Sequence, residues 1–286
     1  MILVTGATGN LGRSVVQQLS KHLNHNQFVV LARSLDKAQH YLDANIRVRL
    51  GDFNQAEALV AEFQGIDKLL LISTMEMNRF EQHKNVIDAA KLAGVKHIIY
   101  TSLAIQDIES SAVKDLMISH FQTEAYLKAS GLTYTILRNT MYAEAIPQII
   151  GEQALQTGIQ VAGGEGKVPY VLRTELGEAT ANLLMQHGHE NQTYDLIGSQ
   201  HYSYQNIAEI LSTIKAEPVI YQNLENHQYR DLLTKIGLPK FLVYLTHSTV
   251  IDIQQHQYEL NSQILEQLLG RPTTSLDQYL KSIYTT

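Results

Sequence analysis

The sequence contains no cysteine among its 286 residues, and this absence removes a set of chemistries. Disulfide bonds, thiolate nucleophiles, iron–sulfur clusters and cysteine-ligated zinc sites are all excluded. A chain without cysteine fits a reducing compartment. The opening stretch MILVTGATG runs from a strand into a glycine loop and leaves no room for a signal segment. We therefore expect a cytoplasmic protein.

Positive charge and long apolar runs are also scarce. The 22 basic and 28 acidic residues give a formal net charge of -6, and neither sign forms long runs. Because binding to nucleic acid requires a basic surface, we expect no nucleic acid partner. Apolar runs such as KLLLIS are far shorter than the roughly 20 residues that span a bilayer, so we expect no membrane partner.

Short apolar segments alternate with amphipathic ones through the first half of the chain. The predicted strands are MILVTG, QFVVLAR, IRVRLGD, DKLLLIS, KHIIYTS and LTYTILRN. Predicted helices between them include RSVVQQLSKHL, AEALVAEFQG and HKNVIDAAKLAG. This alternation predicts an α/β fold with a Rossmann-type, doubly wound parallel sheet that is covered by helices on both faces.

A glycine loop, GATGNLG, joins the first strand to the first helix and is the strongest motif of the sequence. Gly6 permits a tight turn, Gly9 lets the backbone approach a pyrophosphate, and Gly12 permits close packing of the helix against the strand. The N-terminus of the helix faces the anionic group. The loop therefore predicts a dinucleotide-binding site.

The end of the second strand indicates which dinucleotide binds. An NAD site often carries Asp or Glu there, about 20 residues after the loop. Here the position is Arg33, and Lys37 follows one helical turn later. Two cations favour a 2′-phosphate and hence NADPH, and the alternative is a solvated arginine at a strand end. Asp52, after the third strand, is a candidate for the adenine amino group or for a helix cap.

After Asn139 the alternation becomes irregular. The glycine-rich stretch 158–171 predicts a loop or hairpin, QTYDLIG is typical of a strand that returns to the sheet, and helical periodicity dominates from SYQNIAEIL onward. We predict an NADP-binding Rossmann domain in 1–145, rejoined by about 170–200. Residues 146–169 and 201–286 would form a smaller, mostly helical substrate domain over the carboxyl ends of the strands.

Motifs along the whole chain resemble a known family. They are the loop at Gly6 and the segments LARSLDKA, LLLIST, HKNVIDAAKLAGVKHIIYTSL, SGLTYTILRN and LLGRPTTSLDQYL. They are similar to the NmrA-like branch of the atypical short-chain dehydrogenases/reductases, and within it to the bacterial NADPH:quinone oxidoreductase and triphenylmethane reductase type. The resemblance implies NADPH contacts at Gly6, Ala7, Thr8, Gly9, Asn10, Leu11, Arg33, Ser73, Thr74, Met75, Arg138, Asn139, Thr140, Met141, Tyr142 and Ala143.

One stretch departs from the pattern expected for this type. Between Asn139 and Tyr142, where the type is expected to carry Gly-Trp, this chain has Thr140 and Met141, and it contains no tryptophan. The difference bears on the shape and aromatic character of the substrate pocket. Asn139 and Tyr142 follow a predicted strand and are the candidates for contact with nicotinamide or substrate. A turn-forming asparagine and a packed tyrosine are the alternative.

A second departure concerns acid catalysis. Ordinary members of the superfamily use Tyr-x-x-x-Lys on the helix that here contains SHFQTEAYL, but none of the 15 tyrosines has a lysine four residues later. The comparable positions hold His120 and Glu124. We interpret them as an exposed polar pair worth roughly 0.2–0.5 kcal/mol, with His120 as a general acid the alternative. No third ligand is spaced for zinc, so no metal is expected. His83 is interpreted as a cap or packing residue.

The missing Tyr-Lys pair limits the classes of acceptor that the protein can reduce. Hydride transfer to an unactivated ketone builds an alkoxide that needs an acid, whereas a reduced quinone is a phenolate-like anion that water can protonate. With the resemblance, this predicts NADPH-dependent reduction of a quinone or related electrophilic acceptor, by direct hydride transfer and without flavin or metal. The alternatives are a non-catalytic NADP-sensing regulator of the NmrA type and a nucleotide-sugar epimerase or reductase, which normally needs Tyr-x-x-x-Lys.

Overall fold

A seven-stranded parallel sheet forms the centre of the computed structural model, which describes residues 1–285. In chain order the strands are β1 (Ile2–Val4), β2 (Phe28–Ala32), β3 (Val48–Leu50), β4 (Lys68–Leu71), β5 (His97–Leu103), β6 (Thr133–Asn139), β7 (Ile159–Val161), β8 (Gln192–Leu196) and β9 (Tyr221–Asn223). The order across the large sheet is β3-β2-β1-β4-β5-β6-β8, with every neighbouring pair parallel. The strand order reverses between β1 and β4, which is the switch point where such sheets bind ligands.

Helices cover both faces of this sheet. In chain order they are α1 (Asn10–His22), α2 (Leu35–Asp43), α3 (Ala56–Glu62), α4 (Arg79–Ala93), α5 (Lys114–Ala129), α6 (Ile146–Ile150), α7 (Ala154–Thr157), α8 (Arg173–Met185), α9 (Tyr204–Lys215), α10 (Asn226–Lys235), α11 (Lys240–Gln254), α12 (Ile264–Leu269) and α13 (Leu276–Tyr284). Helices α1, α2, α8 and α12 share one buried cluster with the sheet, and α3, α4 and α5 share the other.

The alternation of strand side chains explains why the central strands β1 and β2 are apolar throughout. In β1, Val4 packs into the cluster with α1 and α8, while its neighbour Leu3 packs into the cluster with α3 and α4. A strand that is buried on both faces cannot carry polar residues at alternate positions. The predicted fold class, a Rossmann-type doubly wound sheet, is confirmed.

A third hydrophobic cluster lies in the smaller part of the chain. It is formed mainly by residues of α6, α7, α9, α10, α11 and α13 and of β7. Strands β7 and β9 pair in parallel, so the prediction of a loop or hairpin at 158–171 is wrong for Ile159–Val161, which pairs with a distant segment. The predicted return of QTYDLIG to the sheet is confirmed by β8, which pairs with β6.

The division into two parts stays our proposal, because these contacts do not fix its bounds. Helix α12 belongs to the C-terminal stretch, yet Leu265, Leu268 and Leu269 pack into the cluster on the sheet. Within residues 1–285, no helix is long and apolar enough to cross a membrane.

Candidate functional site

A cavity of about 470 Å³ lies at the carboxyl ends of the strands, around the switch point. The loops after β1, β2, β3, β4 and β6 form its wall, together with the first residue of α8. The lining residues are Gly6, Thr8, Gly9, Asn10, Leu11, Gly12, Leu31, Ala32, Arg33, Lys37, Gly51, Asp52, Phe53, Ile72, Ser73, Thr74, Met75, Glu76, Gln82, Tyr142 and Arg173. One cavity therefore joins the glycine loop to the ends of four other strands.

The glycine loop has the geometry that a pyrophosphate requires. Gly6 adopts a φ of +60°, and a Cβ added there would lie 3.0 Å from the Cβ of Ile72. A Cβ on Gly12 would lie 2.2 Å from the carbonyl oxygen of Gly6, so only glycine lets α1 pack this closely on the loop. The first turn of α1 carries no acidic residue. Its partial positive charge is therefore available to an anion.

Two cations line one end of the cavity. Arg33 and Lys37 lie there with Asp52 and Phe53, at the ends of β2 and β3. Arg33 Nη1 lies 3.8 Å from Glu76 Oε1 across the opening, and both side chains are more than half exposed. Asp52 Oδ1 accepts hydrogen bonds from the backbone and side chain of Asn54, at 2.8 and 2.9 Å, in the turn before α3.

Hydrogen bonds with side chains of β5 and α4 hold the loop after β4 in place. The backbone N–H of Ser73 donates to Thr101 Oγ1 at 2.9 Å, and that of Thr74 points to His83 Nε2 at 3.4 Å. The Thr74 hydroxyl donates to Gln82 Oε1 at 2.9 Å. Burial lowers the pKa of His83 to about 3, so its ring is neutral. The interpretation of His83 as a packing residue is confirmed, since its side chain is fully buried.

At the opposite end of the cavity, Tyr142 and Arg173 lie together. The Arg173 guanidinium lies 4.5 Å from the centre of the Tyr142 ring, and Glu144 approaches the same guanidinium at 3.8 Å. Burial raises the pKa of Tyr142, which keeps its phenol protonated. Asn139 is buried, and its Oδ1 has no hydrogen-bond partner within residues 1–285. Asn139 does not itself line the cavity, so its contact with a ligand stays a prediction.

The structure brings only part of the predicted site together. Predicted residues that line the cavity are Gly6, Thr8, Gly9, Asn10, Leu11, Arg33, Lys37, Ser73, Thr74, Met75 and Tyr142. Predicted residues outside its lining are Ala7, Arg138, Asn139, Thr140, Met141 and Ala143. Ala7, Thr140 and Ala143 are buried, and Met141 packs against the third cluster. Contact between the cofactor and each of these residues stays a prediction.

The interpretation of His120 and Glu124 as an exposed pair is wrong. Their exposed fractions are 6% and 3%. Glu124 accepts two hydrogen bonds from Arg138, at 2.9 and 2.7 Å, and one from Ser102 at 2.6 Å. His120 Nδ1 lies 2.9 Å from the hydroxyl of Tyr100. Both residues face inward because α5 packs on the sheet, and each has its own partner there.

His120 is held neutral and lies outside the cavity. Burial and, less strongly, the charge of Arg79 hold the pKa of His120 well below its usual range. It does not line the cavity. The guanidinium of Arg138 pairs with Glu124, and its contact with the cofactor stays a prediction. A neutral ring that lies outside the cavity does not support general acid catalysis by His120.

Sequence reasoning missed several residues of the cavity wall. Phe53, Gln82 and Arg173 line it but belong to no motif. Arg173 begins α8, a helix that was not predicted, and only the tertiary fold brings it to Tyr142. Among residues 1–285, no group of three His, Asp or Glu side chains is placed to hold a metal ion.

Comparisons with known proteins agree with this geometry. A family described as NAD(P)H-binding matches residues 6–184. The chain is 36% identical over 286 residues to quinone oxidoreductase 2 of Escherichia coli (strain K12), covering 99% of both chains. The solved structure of the Escherichia coli NADPH-dependent quinone oxidoreductase QOR2 complexed with NADPH has a TM-score of 0.91 at 35% identity, covering 99% of this chain and 100% of that one.

A second solved structure is equally similar. The Citrobacter sp. triphenylmethane reductase has a TM-score of 0.92 at 34% identity, covering 100% of this chain and 99% of that one. The fold and the cavity define a Rossmann protein with a dinucleotide site. The chain belongs to the NAD(P)H-binding family, and its predicted resemblance to the quinone oxidoreductase and triphenylmethane reductase type is confirmed.

Proposed function

We propose that this protein reduces quinones with NADPH by direct hydride transfer. The observation that carries the proposal is a single cavity that joins a glycine loop, a two-cation end and an end beside the smaller part of the chain. Full-length similarity to a protein named quinone oxidoreductase 2 supports the acceptor class.

Different parts of the cavity match the different groups of the dinucleotide. The glycine loop and the N-terminus of α1 would hold the pyrophosphate. Arg33 and Lys37 would hold the 2′-phosphate, since a guanidinium and an ammonium there match its charge. Tyr142 and Arg173 line the opposite end, where the nicotinamide would lie. When bound, the cofactor supplies a hydride from C4 of that ring.

The titratable groups of the cavity determine which acceptors it can serve. They are Arg33, Lys37, Asp52, Glu76, Tyr142 and Arg173, and no histidine of residues 1–285 is among the lining residues. Tyr142 has its pKa raised by burial, so it is a poor acid. A quinone is suited to such a site: it gains one hydride, which is one proton with two electrons, leaving NADP⁺, and the resulting oxyanion takes a second proton from water.

The experiment is NADPH oxidation by purified protein against benzoquinones, naphthoquinones and cationic triphenylmethane dyes, with a control that lacks acceptor. We expect acceptor-dependent oxidation, faster with NADPH than with NADH at low cofactor concentration. Absorbance of the purified protein should show no flavin. Saturable NADPH binding without oxidation by any acceptor would reject the proposal.

A further inference from the structure

Arg79, the first residue of α4, is fully buried and forms no ion pair with any carboxylate of residues 1–285. Its guanidinium bonds to neutral oxygens instead. Nε donates to the carbonyl of Thr74, and Nη1 donates to the carbonyl of Leu116 at 3.0 Å and to Ser119 Oγ at 2.9 Å. Burial of a cation away from water lowers the stability of the fold, and the partial positive charge of a helix N-terminus repels the cation as well. A residue that lowers stability in this way is a candidate for a functional role.

The guanidinium lies directly behind the cavity wall. Nη2 is 3.6 Å from the sulfur of Met75, and both Met75 and Thr74 line the cavity. On its other side, Nη1 is 3.9 Å from the sulfur of Met117, which packs against the third hydrophobic cluster. Arg79 therefore lies between the β4 loop and α5, whose Met117 packs against the third hydrophobic cluster.

Neighbouring groups leave the charge of Arg79 uncompensated. Burial and the charge of Arg79 itself lower the pKa values of His83 and His120, so both rings are neutral. Burial raises the pKa of Tyr100, which stays a phenol. Glu124, the nearby buried carboxylate, is bonded by two nitrogens of Arg138. A positive charge therefore remains behind the part of the cavity wall that Thr74 and Met75 form.

We propose that Arg79 is a positioning residue that fixes the Ser73–Met75 loop and supplies a positive potential to the anion formed when a quinone accepts a hydride. The inference rests on the proposed function. The acceptor gains one hydride, which is one proton with two electrons, from nicotinamide C4, leaving NADP⁺, and its oxyanion then takes a second proton from water. A fixed cation in a poorly solvated wall stabilises that oxyanion without donating a proton. Arg79 would thereby stabilise the anion by its charge alone, whereas a Tyr-Lys pair would protonate it.

Ser119 allows the charge to be neutralised while Arg79 is kept. Its Oγ accepts from Arg79, and it borders a second cavity of about 180 Å³, which leaves room for a longer side chain. Ser119→Asp places a carboxylate against the guanidinium, and Ser119→Asn adds similar volume without charge. Each variant is assayed for NADPH oxidation with a series of substituted benzoquinones whose hydroquinones differ in acidity.

Across the series of benzoquinones, we expect the rates of Ser119→Asn to vary with hydroquinone acidity in the same way as those of the unmodified protein. Ser119→Asp should lose about 10-fold on acceptors with the least acidic hydroquinones and little on the most acidic, because the lost potential matters most for the least stable anion. Arg79→Gln should make the rate depend more steeply on the acidity of the hydroquinone. Arg79→Lys should restore the dependence seen in the unmodified protein. NADPH affinity, measured by fluorescence titration, should change less than about 2-fold in the Ser119 variants.

Arg49→Gln is the matched control. The Arg49 guanidinium, like that of Arg79, bonds to neutral oxygens, here the backbone carbonyls of Glu62 and Gln64, and it lies outside the cavity. Its loss should lower stability without changing the dependence on the acceptor. An equal loss by Ser119→Asp on all acceptors, no loss at all, or a tenfold loss of NADPH affinity would overturn the inference alone. Absence of turnover in the unmodified protein would overturn the proposed function, and this inference with it.

Discussion

Arg33 and Glu76 face each other at the two-cation end of the cavity, with Nη1 and Oε1 3.8 Å apart. Because both side chains are largely exposed, the pair contributes only about 0–1 kcal/mol. A 2′-phosphate would compete with Glu76 for the same guanidinium. We therefore expect Arg33 to favour NADPH over NADH and Glu76 to oppose this preference.

Arg33→Ala should weaken NADPH binding by about 1.5–3 kcal/mol, the range for hydrogen bonds to a charged group. NADH, which lacks the 2′-phosphate, should lose much less. Equilibrium titration of both cofactors by fluorescence measures this. Equal losses for the two cofactors would place the 2′-phosphate elsewhere.

Glu76→Gln should tighten NADPH binding by up to about 5-fold, because it removes the carboxylate that competes for Arg33. The same titration with NADH is the control and should not change. Weaker NADPH binding in this variant would mean that Glu76 contacts the cofactor directly.

Glu124→Gln should lower the free energy of unfolding by about 1.5–3 kcal/mol, since a buried carboxylate with charged hydrogen bonds is lost. Urea unfolding measures this loss. Quinone turnover of the folded variant should stay within a few-fold. A 100-fold loss of turnover at unchanged stability would instead mark Glu124 as part of the reaction machinery.

At the scale of elements, the close contact of α1 with the glycine loop is the most sensitive feature. A Cβ on Gly12 would lie 2.2 Å from a backbone oxygen, which cannot rotate away, so Gly12→Ala should shift α1 and abolish saturable NADPH binding. Gly65 is the matched control: its φ is +73° and a Cβ there would meet nothing within 4 Å. Gly65→Ala should cost about 1 kcal/mol of stability and leave NADPH titration unchanged.

Local patterns predicted some elements well and others not at all. The strands of the large sheet were predictable because most of them are short apolar runs, and the glycine loop was predictable from the spacing of its three glycines. Strands β7 and β9 were not predicted. Helix α8 was not predicted either, because Glu175 and Thr180 lie on its buried face beside Leu176 and Leu183, so its sequence does not divide cleanly into an apolar and a polar face. The inward position of Glu124 on α5 depends on Arg138 of β6, a contact that helical spacing does not contain.

At the scale of the whole molecule, the fold class follows from the alternation of strands and helices, but the join between the two parts does not. Asp252 of α11 accepts from the Ser111 hydroxyl at 2.7 Å and from the backbone N–H of Ala112 at 2.6 Å, which ties the smaller part to the segment that leads into α5. Residues so far apart in the chain share no sequence pattern. Arg79 and Arg173 were missed for the same reason, since their roles arise from contacts between elements.

The central claim is that hydride passes directly from NADPH to the acceptor. The most direct measurement is single-turnover oxidation of NADPH by benzoquinone in flavin-free protein, with deuterium on one face of nicotinamide C4 and then on the other. We predict acceptor-dependent oxidation that deuterium slows on one face only. Saturable NADPH binding without acceptor-dependent oxidation would contradict the account and favour a cofactor-sensing protein.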